Sequence, residues 1–430
     1  MNKLHHITLN SPYSTLILDC QNDTAKVLYW GKKLSKAHQA HTLKRLHTRQ
    51  EAPCCAAEEA TIDLSPTDAS GFLGHSGLQV HRNGCDWTIY PIIDDVNQTD
   101  AHSVTIRATD THNQVQLKQD IQLDPHSGVL SAKTRVINLG DDALTVNYCA
   151  APTVPVPAHL EQLLALDGRW AQEFQMQEVD RFAGAFVREN RCGRSSHNAF
   201  PGLIVKGKHT NESQGEAYGF HLGWSGNHRL YSEVLSDGRG YVQMGELLFP
   251  GEIRLAAGEH YNSPTLFSAY SSEGLSILSQ QFHRYVRSQL TEARCRTRPR
   301  PVHYNTWEAL YFDHQSETLS KLAKEAADIG AERFVLDDGW FKGRRHDRAG
   351  LGDWTVDAHI YPKGLSPLIQ EVTDLGMEFG LWLEPEMVNP DSDLYRAHPD
   401  WVLGATPGPQ ILARNQLVLN LALEQVQCYL

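Results

Sequence analysis

Two carboxylates, a glycine and an indole close one short apolar run, Phe334-Val335-Leu336-Asp337-Asp338-Gly339-Trp340. Carboxylates accept hydrogen bonds from hydroxyls, and an indole face gives a flat apolar wall. A bound sugar needs both. Asp-Asp-Gly is also ordinary turn chemistry, and these residues alone do not separate a site from a turn. A second acidic pair, Glu384 and Glu386, follows the apolar segment 377–383. Two carboxyls about 5–5.5 Å apart suit a retaining glycosidase, and about 6.5–9.5 Å an inverting one. Strands lie about 4.8 Å apart. Residue chemistry alone therefore nominates Asp338 with Glu384 as an acid pair.

The elements that must position these groups read as alternating strands and helices from residue 302 onward. Segment 302–307 is an expected strand running into Asn305-Thr306-Trp307-Glu308. A helix follows, with Ser316 as cap, Leu319, Leu322, Ala323, Ala326 and Ile329 as inner face, and Gly330 as stop. Residues 333–336 form the next strand, and a long loop, 341–364, carries Gly352-Asp353-Trp354. Ser366 should cap a second helix with Pro367 in its first turn, Leu368, Val372 and Leu375 inside, and Gly376 as stop. The unit repeats: Asp328-Ile329-Gly330-Ala331-Glu332 answers Asp374-Leu375-Gly376-Met377-Glu378, which lays Asp338 onto Glu384. Such repetition gives a parallel sheet with right-handed crossovers, and wide loops after the strands favour a (β/α)8 barrel over a doubly wound sheet. A barrel takes about 250 residues, so 302–430 holds about half of one, roughly its first three strand–helix units. The expectation is an incomplete barrel in a shortened chain, with an open edge at strand 377–383 that invites association.

Upstream, residues 1–270 alternate polar and apolar residues in short segments, among them 15–18, 25–30, 103–107, 114–118, 130–138 and 143–148. That pattern means an enlarged antiparallel sandwich. Segment 40–66 lacks a period and reads as a loop or excursion. Two stretches, Gly168-Arg169-Trp170 with 190–198, and the Gly- and aromatic-rich 215–228, fit either a lip over a cleft or a strand pair with aromatic packing; the latter is favoured. Residues 271–301 read as a linker: an amphipathic helix (Leu275, Leu278, Phe282, Val286, Leu290) and a basic, Pro-rich connection.

The 430-residue chain is 41% hydrophobic and carries a formal charge of −12, which disfavours nucleic acid as main partner. No apolar run approaches the ~20 residues of a membrane helix, and residues 1–20 lack a signal-peptide core. Eight cysteines without metal spacing suggest free thiols in the cytoplasm, and 22 histidines show no metal pattern. No cofactor or metal is expected.

Several ordered motifs resemble bacterial α-galactosidases of glycoside hydrolase family 36. They are Asn305-Thr306-Trp307-Glu308-Ala309, Asp337-Asp338-Gly339-Trp340, Gly352-Asp353-Trp354, Trp382-Leu383-Glu384-Pro385-Glu386-Met387-Val388, His398-Pro399-Asp400-Trp401 and Arg414-Asn415-Gln416-Leu417-Val418-Leu419. Gly168-Arg169-Trp170-Ala171 and 215–228 extend the likeness over most of the chain. The resemblance implies a β-supersandwich, then a (β/α)8 barrel, and retaining hydrolysis of terminal α-galactose from melibiose- or raffinose-type oligosaccharides. It implies that Asp337 and Asp338 hold the galactose 4- and 6-hydroxyls, that Trp307 and Trp382 line the pocket, and that Arg414 bonds ring substituents. The acid pair nominated above then gives way: Asp338 becomes a binding residue, and Glu384 and Glu386 brace the strand tip. The family's nucleophile lies in a Lys-Trp-Asp segment, which this sequence does not contain. No catalytic residue is therefore assigned, and this chain alone is expected to be inactive. The longer form should be a homo-oligomer, a tetramer in relatives. Loop 74–83 departs from the common family form. Alternatives are a non-catalytic galactose-binding or scaffold fragment, and, within the family, an α-N-acetylgalactosaminidase or a transglycosylase.

Overall fold

The computed structural model describes residues 6–35, 43, 61–404, 408 and 410–430. The chain divides into two compact units, Met1–Thr291 and Glu292–Leu430.

In the first unit every pairing between the described strands is antiparallel. A ten-stranded sheet runs, edge to edge, through Gln172–Asp180, Gln162–Arg169, Gly202–Lys206, Ala217–Gly223, Thr265–Ser271, Leu130–Asn138, Val115–Leu123, Ser103–Asp110 and Ile92–Gln98, with His260–Asn262 paired to Leu130–Asn138 off this path. Smaller sheets complete the sandwich: His6–Asn10, Ser14–Asp19 and Lys26–Lys32; Val154–Val156, Gly240–Glu246, His228–Val234 and Gly184–Asn190; and Ile253–Leu255, Leu144–Cys149 and Leu78–His81. Every strand expected from alternation is present. Leu130–Asn138 buries every second residue, as a sheet with one covered face must. Ser14–Asp19 departs from alternation, because all six residues are buried. It is the middle strand of its sheet, covered on both faces. The main core interleaves the layers: Leu9 and Leu18 meet Ile106, Ile121, Leu230 and Met244. Most of segment 40–66 lies outside the described residues, as do Cys54 and Cys55. Six other cysteines are free.

The aromatic stretch 215–228 is not a strand pair. Ala217–Gly223 belongs to the large sheet and His228–Val234 to the four-stranded one, so the chain changes sheet at residues 224–227. The aromatic packing expected of it is real but runs elsewhere: Tyr218 and Phe220 meet Trp30 edge-on, at 5.0 and 6.5 Å between centroids. Gly168-Arg169-Trp170 makes a hairpin tip, with Trp170 80% exposed.

Helix Leu275–Tyr285 packs on the large sheet through Leu278 and, partly, Leu275 and Phe282. Gly219 permits this: a Cβ there would lie 2.9 Å from Phe282 Cε2 and 3.2 Å from Leu278 Cδ2. Gly219→Ala should therefore cost about 1–3 kcal/mol by overpacking, read as a lower urea midpoint. The apolar pattern then breaks. Residues Val286–Leu290 form a π-helical turn, leaving Val286 and Leu290 exposed rather than inward. The short helix Ala293–Thr297 opens the second unit.

His228 is buried, and its Nδ1 lies 3.3 Å from the Gly226 carbonyl. Burial pushes its pKa below the usual value, and Arg188 adds to the push. The native ring stays neutral while the unfolded one protonates. Its contribution is thus intact above the unfolded pKa, about 6.5, and is lost as pH falls through that value toward the lower folded one. His228→Gln should flatten the fall in unfolding midpoint between about pH 7 and 5.5; an unchanged slope would contradict this.

The second unit holds three parallel strands in sequence order, His303–Asn305, Arg333–Leu336 and Glu378–Leu381, joined through helices Ser316–Asp328 and Ser366–Asp374. This is the opening part of a (β/α) barrel. Leu319, Ala323, Ala326, Leu368 and Val372 cover Phe334 and Leu336. Ile329 departs from expectation at 81% exposed, because it lies past the last helical turn as C-cap. Ser316 and Ser366 are first helical residues; Gln315 and Leu365 are the caps, and neither makes a side-chain cap bond. Ser392 does cap, its Oγ accepting from the Tyr395 amide at 3.0 Å before helix Asp393–Ala397.

The strand register corrects the repeat. Arg333 pairs with Glu378 and Leu336 with Leu381, one residue less than the 328–374 repeat implies. A barrel with a shear of about eight over eight strands slips about one residue per strand. By this register Glu384 stands level with Gly339, not Asp338, and Trp382 with Asp337.

Candidate functional site

The strand tips gather the acids and indoles. Asn305 ends the first strand; its Nδ2 donates to Asp337 Oδ2 at 2.6 Å, and its Oδ1 accepts from the Trp307 amide at 2.7 Å. Thr306 Oγ1 accepts from the Asp337 amide at 3.0 Å. Asp337 Oδ1 accepts from the Asp338 amide at 2.7 Å. One strand tip thus orients the acids of the next.

Asp338 is fixed from behind. Arg344 Nε donates to both carboxylate oxygens (2.9 and 3.1 Å), and its Nη2 donates to Oδ2 at 2.7 Å. The Arg344 side chain is 1% exposed, that of Asp338 6%. Arg344 Nη1 donates to the Ala349 carbonyl and Asn389 Oδ1 at 3.0 and 3.1 Å, and the guanidinium lies 5.2 Å from the Phe312 ring centre. A bidentate buried guanidinium fixes the orientation of the carboxylate. Neighbouring Arg345 donates to the Gly339 carbonyl at 2.6 Å and to Asp357 at 3.2 Å, tying the long loop to the strand tip. Gly339, at φ 116°, is required: a Cβ would lie 3.1 Å from His314 Nε2 and 3.3 Å from Phe312 Cα. Burial lowers the His314 pKa, and Arg345 lowers it further; its Nδ1 pairs with Tyr361 Oη at 2.8 Å.

The two nominated indoles follow the first and third strands, on either side of the strand that carries these acids. Trp307 is half-buried at the start of the short helix Trp307–Leu310 and meets Tyr311 and Phe312 edge-on at 5.1 and 5.2 Å. Trp382 is half-buried just past the third strand. Its amide donates to the Leu336 carbonyl, and its carbonyl accepts from Trp340 Nε1, both at 2.9 Å. Trp354 packs between Trp340, Phe341 and Trp382 at 6.3, 4.7 and 6.4 Å. Asp353 of Gly352-Asp353-Trp354 is structural: it accepts from the Asp393 and Leu394 amides at 2.8 and 2.9 Å.

Arg414 is exposed, at φ 53°, in the turn bridged by Ala413 and Gln416. It reaches this group through Glu384. Burial pushes the Glu384 carboxyl above its usual pKa; Arg414 opposes this, Glu386 and Asp338 add to it, and Arg344 opposes. Among the described residues the carboxyls of Glu384 and Glu386 make no hydrogen bond or ion pair that would brace the strand tip. Backbone holds it instead: Met387 donates to the Glu384 carbonyl, and Leu419 to that of Glu386.

Sequence reasoning missed Arg344 and Asn389 as organising groups, whereas Trp354 was singled out within Gly352-Asp353-Trp354. Only the Arg344-Arg345 doublet six residues past the acid pair offered a signal. No group of His, Cys, Asp and Glu suited to a metal occurs among the described residues, and no described helix is long and apolar enough to cross a membrane.

A parallel barrel whose strand tips carry acids beside indoles, preceded by a large antiparallel sandwich, defines the architecture of a class of carbohydrate-active enzymes. Comparison with known proteins agrees. Residues 23–256 match the glycosyl hydrolase family 36 N-terminal domain, and residues 260–430 match the melibiase family. The chain is 40% identical to an α-galactosidase of Escherichia coli over 425 residues, covering 98% of this chain and 59% of the relative. Among solved structures, the galactosidase domain of an α-galactosidase–sucrose kinase superposes with a TM-score of 0.91 at 28% identity, over 99% of this chain and 62% of that one. A family 36 α-galactosidase of Geobacillus stearothermophilus in complex with raffinose gives 0.90 at 30% identity, with the same coverage. The chain belongs to glycoside hydrolase family 36. It spans about three-fifths of the length of these relatives.

Proposed function

We propose that this chain is the sandwich and the first barrel units of an α-galactosidase, and that its strand tips form one side of the galactose pocket. In this reading Asp337 and Asp338 accept hydrogen bonds from the 4- and 6-hydroxyls. Trp307 and Trp382 wall the ring, and Arg414 bonds ring substituents. The observation that carries the reading is the Asn305–Asp337–Asp338–Arg344 relay, which orients two carboxylates at the tip of the middle strand, while Trp307 and Trp382 follow the strands on either side. A carboxylate held rigidly separates an axial from an equatorial hydroxyl, because the wrong epimer leaves a buried acceptor unpaired. Substrates of the raffinose type are part of the proposal, supported by the raffinose and stachyose complexes of relatives. A cytoplasmic place of action is supported by the six free cysteines, and a tetrameric assembly by the family resemblance.

Cleavage is assigned to a longer chain. Release of galactose from raffinose should be absent for residues 1–430 alone and present for a chain extended through a complete barrel. Turnover by the 430-residue chain would overturn the assignment of cleavage to residues outside it.

A further inference from the structure

The first unit carries a second concavity, well away in sequence from the strand-tip acids, in which polar side chains of one sheet face the apolar segment Leu248, Pro250 and Gly251. A groove of about 610 Å³ opens over the outer face of the sheet built from Ile253–Leu255, Leu144–Cys149 and Leu78–His81. The inner face of this sheet is apolar: Leu78, Val80, Leu144, Val146 and Leu255 are buried together. Alternation therefore sends Gln79, His81, Thr145, Asn147 and Arg254 outward, and all five line the groove. Strand register sets His81 opposite Thr145 and Thr145 opposite Arg254, three hydrogen-bonding groups in one row about 4.8 Å apart.

The chemistry of this row is that of a donor array. His81 Nδ1 accepts from the Gly84 amide at 3.0 Å, which leaves the proton on Nε2. Arg254 makes no ion pair among the described residues. A second guanidinium in the lining, Arg229, is pre-set: its Nε donates to Glu189 at 2.5 Å, and it lies 5.9 and 5.8 Å from the Tyr148 and Tyr231 ring centres. The nearest acid in sequence, Glu252, is turned onto the Phe249 amide at 2.7 Å. No carboxylate lines the groove, although the whole chain carries a charge of −12. No Phe, Tyr or Trp lines it either, which disfavours a neutral sugar held by stacking.

We propose that this groove is a binding site for a small phosphate-type oxyanion, free or esterified to a polyol. Arg254 supplies the charge, His81 and Thr145 donate beside it, and Gln79 and Asn147 receive the hydroxyls of an esterified ligand. Every residue lining it belongs to the first unit.

Isothermal titration of the 430-residue chain tests it, with inorganic phosphate, glucose 6-phosphate and glucose as separate probes. Phosphate and glucose 6-phosphate should bind, and glucose should not. Tighter binding of the ester marks a polyol phosphate as the natural ligand; equal binding marks the free anion. Arg254→Gln, an outward-facing change that leaves the sheet's apolar face intact, should weaken either anion about ten- to hundredfold, as loss of a charged hydrogen bond does. Asn147→Ala should weaken only the ester. Absence of anion binding, binding that Arg254→Gln leaves unchanged, or glucose binding as tightly as its phosphate would overturn the proposal.

Discussion

Arg344→Ala should cost the second unit about 3–5 kcal/mol, because it strands the Asp338 carboxylate in the interior with no countercharge. Both side chains are all but buried, so solvent does not screen the loss. The Ala349 carbonyl and Asn389 Oδ1 lose a donor as well. Replacing both members, Arg344→Met with Asp338→Leu, should recover much of this loss, since a buried ion pair and a well-packed apolar pair are often similar in stability. Recovery stays partial because Asn389 is still short of one partner. Urea unfolding of the 430-residue chain reads both effects. A loss under about 1 kcal/mol for Arg344→Ala would mean that the pair is bridged by solvent as a surface pair is.

The second large effect concerns Asp337, whose carboxylate is held by Asn305 and by the amide of Asp338 rather than by a guanidinium. Asp337→Asn removes the charge and half of the acceptor capacity while leaving Arg344 and Asp338 in place. In a chain with a complete barrel it should lower kcat/KM for an α-galactoside by about 10- to 100-fold, the worth of one charged hydrogen bond at about 1.5–3 kcal/mol. Its unfolding midpoint should change little beside that of Arg344→Ala. Asp338→Asn should lower both activity and stability, since it also weakens the Arg344 pair. A variant series in which Asp337→Asn lost stability but kept activity would make Asp337 a structural turn residue, the alternative that its sequence context left open.

The pattern of what could be read from the sequence follows from the range of the forces involved. Strand alternation and helix periodicity are local, so Leu130–Asn138 and Ser316–Asp328 were legible. Local repetition also brought Asp337, Asp338, Trp307 and Trp382 to neighbouring strand tips. Barrel shear is collective, and it moved the level partner of Glu384 from Asp338 to Gly339. Side-chain pairing across loops is longer-ranged still. Nothing in an Arg-Arg doublet says that Arg344 would fold under Asp338 while Arg345 turned to Asp357. The 215–228 stretch shows the same limit: its aromatics signalled packing, but not that the chain changes sheet between them. The bracing expected of Glu384 and Glu386 comes, among the described residues, from backbone amides, which residue type does not reveal.

The most direct measurement is the ratio of kcat/KM for α-galactoside over α-glucoside in a chain with a complete barrel, with and without the acid pair. Rigid carboxylates on the axial hydroxyl should give the parent a preference on the order of 10⁴, and the Asp337→Asn, Asp338→Asn double variant should lose most of it. A ratio near one in the parent, or a ratio that survives the double variant, would contradict the assignment of these strand-tip acids to galactose.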